Sequence, residues 1–210
     1  MTFVDLGLAR RLESADAAWI ASSTEAMVAA APDAGAALMP FAGGQAAFNG
    51  RHSHLTRVRG AGLHGAVDAV ELAAVEKFYR RRRCAVRIDL CPLADASLVR
   101  LLSGRRYRIR YFNDIAMRKV NGPGVPPGNG IAVTEATPEQ RDLWVDVLSR
   151  GFAGSDSPPP EYRGVAESHW RAAGCAAFLA WRGETPVAAA SVFIHEGVAM
   201  LYISATLAAH

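Results

Sequence analysis

AAFLAWRGETPVAAASVFIHEGVAMLYISATL (Ala176–Leu207) is the stretch that decides how the chain is read. Three apolar runs, Ala176–Trp181, Val187–His195 and Val198–Leu207, are separated only by Arg182–Thr185 and by Glu196-Gly197. Apolar runs of strand length bounded by short glycine-containing turns predict a three-stranded antiparallel meander. Upstream, Ile131–Thr134 predicts a strand. Thr137-Pro138-Glu139-Gln140 follows as a capping box with proline at the first helical position. Leu143, Trp144, Val147 and Leu148 then recur at helical spacing, and Gly151 is the expected stop. Ser155–Pro160 reads as a loop and Glu161–Ala173 as a second helix. Residues 131–210 are thus expected to open an α/β domain and to end on a strand before that domain closes.

The segment before this unit, NGPGVPPGNG (residues 121–130), is nearly all Gly, Pro and Asn. Such a run cannot bury apolar surface and predicts a linker between a first domain, 1–120, and a second, 131–210. In the first domain, residues 4–30 predict a helix with Leu8, Leu12, Ala15 and Trp19 on one stripe, ended by Pro32. Ala37–Phe48 predicts a hairpin broken at Gly43-Gly44, and His54–Arg59 a strand running into the glycine-rich turn Gly60–Gly65. Val67–Arg82 predicts a helix with Val67, Val70, Ala74 and Phe78 inward. Arg80–Arg83 complement the dipole at its C-terminal end. Ala85–Leu90 predicts a strand. Asp95 caps a short helix carrying Leu98, Leu101 and Leu102 that Gly104 closes, and Tyr107–Val120 predicts a long strand or strand pair.

The two halves repeat one order: helix, hairpin, strand. Ala36–Phe48 (AALMPFAGGQAAF) parallels Ala176–Ala188 (AAFLAWRGETPVA), and Leu55–His64 parallels Leu201–His210. In the first half, further helices and strands follow that strand. By analogy roughly 55–70 further residues would complete the second.

Half of the 210 residues are hydrophobic and 20% are charged, which excludes a disordered chain. The formal net charge is +3, and basic residues do not line a whole face, so no nucleic-acid partner is expected. No apolar run approaches the ~20 residues of a membrane span. An odd count of three cysteines, Cys84, Cys91 and Cys175, without metal-like pairing fits a reducing cytoplasm.

The strand–helix–helix–strand–strand–strand order of residues 131–207 resembles the GNAT acyl-CoA-dependent N-acetyltransferases. The first half resembles the degenerate N-terminal domain of tandem bacterial members. Its most specific piece, VRIDLCPLADASLVRLLSGRRYRIRYFNDIAMRKV (Val86–Val120), resembles the closing strand–helix–hairpin of that fold. The resemblance implies an α/β (α+β) chain of two tandem GNAT-like domains, with mixed, mostly antiparallel sheets flanked by helices and the second domain incomplete. It further implies acetyl-CoA as co-substrate and a small-molecule or peptide amine as acceptor. Pantetheine would pair with the backbone of Ala205, Thr206 and Leu207, where the family often has a proline at the position of Ala208. A pyrophosphate loop would follow His210 and a tyrosine general acid would lie further on. Acetyl-CoA binding by residues 1–210 is therefore expected to be weak. A non-catalytic GNAT-like module is the alternative, and a homodimer completing the sheet is a third.

Arg57-Val58-Arg59-Gly60-Ala61-Gly62 matches R-x-x-G-x-G, so Arg57, Gly60 and Gly62 are an alternative pyrophosphate cradle or a structural turn. The same glycines spell G-x-G-x-x-G with Asp89 downstream, but a dinucleotide fingerprint follows the first strand of a parallel sheet, and here hairpin strands precede it. Glu196 is a candidate general base or a solvated turn carboxylate beside His195. Phe152, Ser155 and Asp156 lie on the inter-helix loop that the resemblance assigns to the acceptor groove. His52, His54 and His64 have no acidic or cysteine partner at metal spacing, and no metal is expected. Cys91 reads as a structural thiol.

Overall fold

The computed structural model describes residues 4–122, 124, 126–128 and 130–210; Pro123, Val125 and Asn129 of the expected linker lie outside them. Two antiparallel sheets carry the fold. The first has β1 (Ala37–Phe41), β2 (Gly44–Phe48) and β3 (Arg57–Arg59) in that order. The second has β4 (Ile131–Glu135), β5 (Cys175–Arg182), β6 (Thr185–His195) and β7 (Val198–Thr206) in that order.

Helix α1 (Leu6–Ala30) begins where the Asp5 carboxylate accepts from the Leu8 amide. It packs on the first sheet while α2 (Ala69–Arg81) and α3 (Ala96–Gly104) cover the opposite face. Alternation explains this sandwich: Ala46 and Phe48 of β2 join Leu72, Val75, Phe78, Leu98 and Leu102, while Ala47 between them joins Trp19 and Ile20. On the second sheet α4 (Arg141–Ala153) and α5 (Pro160–Arg171) share one face, with Trp144, Leu148 and Ala166 against Leu179, Ala189 and Ile203. The Trp144 indole donates to the Ala190 carbonyl at 3.0 Å, so the largest ring of that core is also hydrogen-bonded.

α1 also reaches the second sheet. Trp19 and Ile20 pack with Phe193, and the Ser22 hydroxyl donates to the Ala173 carbonyl at 2.9 Å. The same helix therefore serves both halves of the chain.

Four expectations need correction. The helix expected over 67–82 starts at Ala69, because Asp68 and Glu71 form a capping box. That start sets the inward face to Leu72, Val75, Phe78 and Tyr79; Val70 is 77% exposed and Ala74 is exposed too. α4 runs through Gly151 and stops at Gly154, whose φ of 59° provides the left-handed cap. The strand expected at 85–90 is a single parallel bridge between Val58 and Ile88. The long strand or strand pair expected at 107–120 does not form: no described strand runs beside it, and residues 108–122 are all exposed. An extended segment without a neighbour has no ladder to join.

Trypsin is expected to cut first within Arg108–Lys119 under native conditions, because exposed unpaired backbone fits a protease cleft. The two fragments should still elute together, since α1 holds the second sheet. Fragments that separate on a native sizing column would contradict this joint.

Candidate functional site

Among the described residues β7 is an edge strand, with β6 as its one ladder neighbour. Ser191 of β6 lies opposite Ile203 and Val192 opposite Leu201, which leaves Tyr202 as one extra residue. This is a β-bulge, and it bends the strand at its middle. Below it, the Leu207 amide donates to the Val187 carbonyl at 2.9 Å. Hydrogen-bonded pairs alternate along an antiparallel ladder. Ala205 and Leu207 therefore point their backbone groups at β6, and Ser204 and Thr206 point theirs outward. Of the three backbone positions expected to meet pantetheine, Thr206 has the open orientation.

The C-terminal end of α4 closes on this strand. A Cβ on Gly151 would stand 2.7 Å from the Ala205 Cβ and 3.1 Å from the Thr206 carbonyl. Glycine is thus what lets helix and strand touch there. Phe152, which is 46% exposed, follows directly. Ser155 and Asp156 lie just beyond, with Asp156 held by Arg150. Phe152 thus lies in the last turn of α4 and not on the loop, because the helix runs on to Ala153; that turn and the loop after it stand at the same end of β7 as Ala205, Thr206 and Leu207. Glu196 is elsewhere. It occupies the opposite end of β7 in a tight turn at φ 45°. Ten residues at about 3.3 Å each separate it from Thr206, roughly 30 Å.

On its inner side the bulge meets the first half of the chain. The Tyr202 ring stacks on Trp19 with centroids 3.6 Å apart, and the Tyr202 hydroxyl accepts from Arg59. The Arg59 guanidinium lies 5.1 Å from both rings, is paired with Asp16, and has Asp89 at 3.7 Å. Arg57 pairs with Asp89 at 3.2 Å and donates to the Tyr111 hydroxyl at 3.1 Å. The glycines that follow are spent on packing. A Cβ on Gly60 would sit 2.8 Å from the Glu13 carbonyl, and Gly62 donates to the Ala42 carbonyl at 2.9 Å and accepts from the Asp95 amide at 2.7 Å. Arg57, Gly60 and Gly62 thus lie in the join between α1, β3 and α3.

A half-buried carboxyl and a buried imidazole flank this join. Burial, then the charges of Asp16 and Asp89, push the Glu13 carboxyl up to about 7. Burial, then His54 and Arg59, push His169 down to about 3; its ring lies 5.0 Å from Trp19, and neither nitrogen meets a protein partner. Tyr202, Gly151 and His169 escaped sequence reading. A glycine inside the α4 pattern was the one available signal, and it read as a helix stop.

Comparison with solved structures matches a GCN5-related N-acetyltransferase from Kribbella flavida. The TM-score is 0.57 and the identity 16%, over 97% of this chain and 74% of that chain. The chain has the GNAT fold. The likeness at this identity is one of architecture. No protein-family model matches the chain, and no curated protein does. Among the described residues no helix is long and apolar enough to cross a membrane, and no cluster of His, Cys, Asp and Glu is placed to hold a metal ion.

Glu13 and His169 set opposing pH dependences. Folded Glu13 keeps a proton that the unfolded chain loses above its ordinary 4.5, so its contribution to stability falls as pH rises from about 4.5 to about 7. Folded His169 refuses a proton that the unfolded chain takes below 6.5, so its contribution falls as pH drops from about 6.5 to about 3. The slopes oppose each other between them, and the chemical-denaturation midpoint should stay nearly flat from pH 4.5 to 6.5. Glu13→Gln should unmask a midpoint that rises with pH across that window, by at most about 1.4 kcal/mol per unit. An unchanged profile in that variant would refute the assignment.

Proposed function

We propose that this chain belongs to an acyl-CoA-dependent N-acyltransferase, with acetyl-CoA as donor and a small-molecule or peptide amine as acceptor. The observation that carries the reading is the outer edge of β7. It has a bulge at Tyr202, outward backbone groups at Ser204 and Thr206, and the close approach of α4 at Gly151, all within a GNAT fold. A free strand edge accepts an extended amide-bearing ligand by strand addition, and pantetheine is one. Acetyl-CoA supplies an activated thioester carbonyl for attack by the amine. The chain's own part is to orient the donor along β7 and to border the acceptor with Phe152, Ser155 and Asp156.

A second reading, a non-catalytic GNAT-like module, has one observation in its favour. The R-x-x-G-x-G match has its arginines in ion pairs and its glycines packed, so it offers no open phosphate cradle. Within residues 1–210, binding then rests on the strand edge. A Kd near 1 mM, about −4 kcal/mol, is then expected for acetyl-CoA.

Amide hydrogen exchange with several millimolar acetyl-CoA separates the two. Slowed exchange confined to Ser204 and Thr206 is expected, accompanied by release of free CoA thiol on adding primary amines. Protection without thiol release would favour the module. No protection on β7 would sink both.

A further inference from the structure

The inner side of the bulge carries an arrangement that the acyl-donor reading leaves unused. Arg59 comes from β3, in the first sheet, and its side chain is 7% exposed. The groups facing it come from four other parts of the chain. α1 provides Asp16 and Trp19; the segment after the Ile88 bridge provides Asp89; β7 provides Tyr202; and α5 provides His169 one ring further out. Burial by itself would lower the guanidinium's pKa, but Asp16, Tyr202 and Asp89 outweigh it and hold the group charged. A charged planar fork between two aromatic faces has one orientation that satisfies all of its neighbours.

Tyr202 is the extra residue of the bulge, so no β6 residue stands opposite it to fix its position. What fixes it lies across the joint: the Trp19 stack and the Arg59 hydrogen bond. A bulge interrupts the ladder and would otherwise be free to migrate along the strand; each residue it passes exchanges its inward and outward backbone groups, so a bulge displaced toward the C-terminal end of β7 would turn Ser204 and Thr206 toward β6. We propose that Arg59 is a positioning residue for the donor strand: with Trp19 it pins the bulge at Tyr202 and thereby keeps the Ser204 and Thr206 backbone groups on the open edge. The first half of the chain then acts on the candidate site through β7, with none of its own groups at the donor. This inference rests on the acyl-donor reading only for its consequence; the pinning itself is a property of the unliganded chain.

Hydrogen exchange on the 210-residue chain, with and without acetyl-CoA, tests the two parts separately. In Tyr202→Phe, which keeps the ring stack and loses the hydroxyl, exchange of amides 199–207 should rise several-fold. In Arg59→Met it should rise at least tenfold. In both, the β4–β5 ladder should exchange as in the parent chain. Arg59→Lys keeps a cation for Asp16 but loses the planar fork, and should fall between the parent and Arg59→Met. Acetyl-CoA protection at Ser204 and Thr206 should be lost in step with the β7 exchange. Tyr202→Phe with unchanged β7 exchange would overturn the pinning, as would a rise spread evenly over both sheets in Arg59→Met and Arg59→Lys. Acetyl-CoA that fails to protect the parent chain, while the variants still loosen β7, would remove the acyl-donor reading and leave the pinning standing.

Discussion

A guanidinium almost wholly withdrawn from water is the constraint around which this molecule is arranged. Removing a cation from solvent costs several kcal/mol unless carboxylates and hydrogen-bond acceptors replace the water. Arg59 finds Asp16 on α1, Asp89 beyond α2 and the Tyr202 hydroxyl on β7. Those groups span nearly the full length of the sequence, so satisfying one charge requires both sheets and α1 to be in place together. The apolar contacts of Trp19, Ile20 and Phe193 supply the non-directional attraction. The ion-paired cluster supplies the register at which the two halves stop sliding.

This arrangement gives β7 two unlike sides. Toward the core it is fixed by ring stacking, by the β6 ladder and by α4 at Gly151. Toward solvent it keeps a row of backbone donors and acceptors. Exposed strand edges are ordinarily a hazard, because any other strand can pair with them. Leu201, 83% exposed beside the bulge, adds to that hazard. The bend at Tyr202 limits it by shortening the straight run available to an intruding strand.

Much of the fold was legible. Local chemistry sets α1, the β1–β2 hairpin, α3 with its Asp95 cap, and the β5–β6–β7 meander, so propensity and turn residues located them. The failures have a common cause. Whether Ala85–Leu90 and Tyr107–Val120 become strands depends on a neighbouring edge, which sequence does not display. The α2 stripe failed by phase: reading from Val67 put Val70 inside, whereas the Asp68 cap rotates the helix so that Leu72 and Val75 face the core. At the candidate site, the strand end and the α4 loop were found by resemblance. The bulge, the Gly151 contact and the Arg59 cluster were not. The Gly151 contact and the Arg59–Tyr202 bond each join residues more than 50 positions apart, and the bulge is a one-residue slip in a hairpin ladder whose local pattern is ordinary.

The span between Arg59 and Tyr202 also has a consequence in time. They are 143 residues apart in sequence. A ribosome adding roughly 5–20 residues per second takes on the order of 7–30 s to make that stretch. For that interval the nascent first half holds a buried-type arginine, the Asp16 carboxylate and the outer face of Trp19 with no cover from β7. The joint is therefore the last part of the described fold that can form, and the nascent chain passes through a long state in which its stickiest helix face is open to chaperones and to other chains.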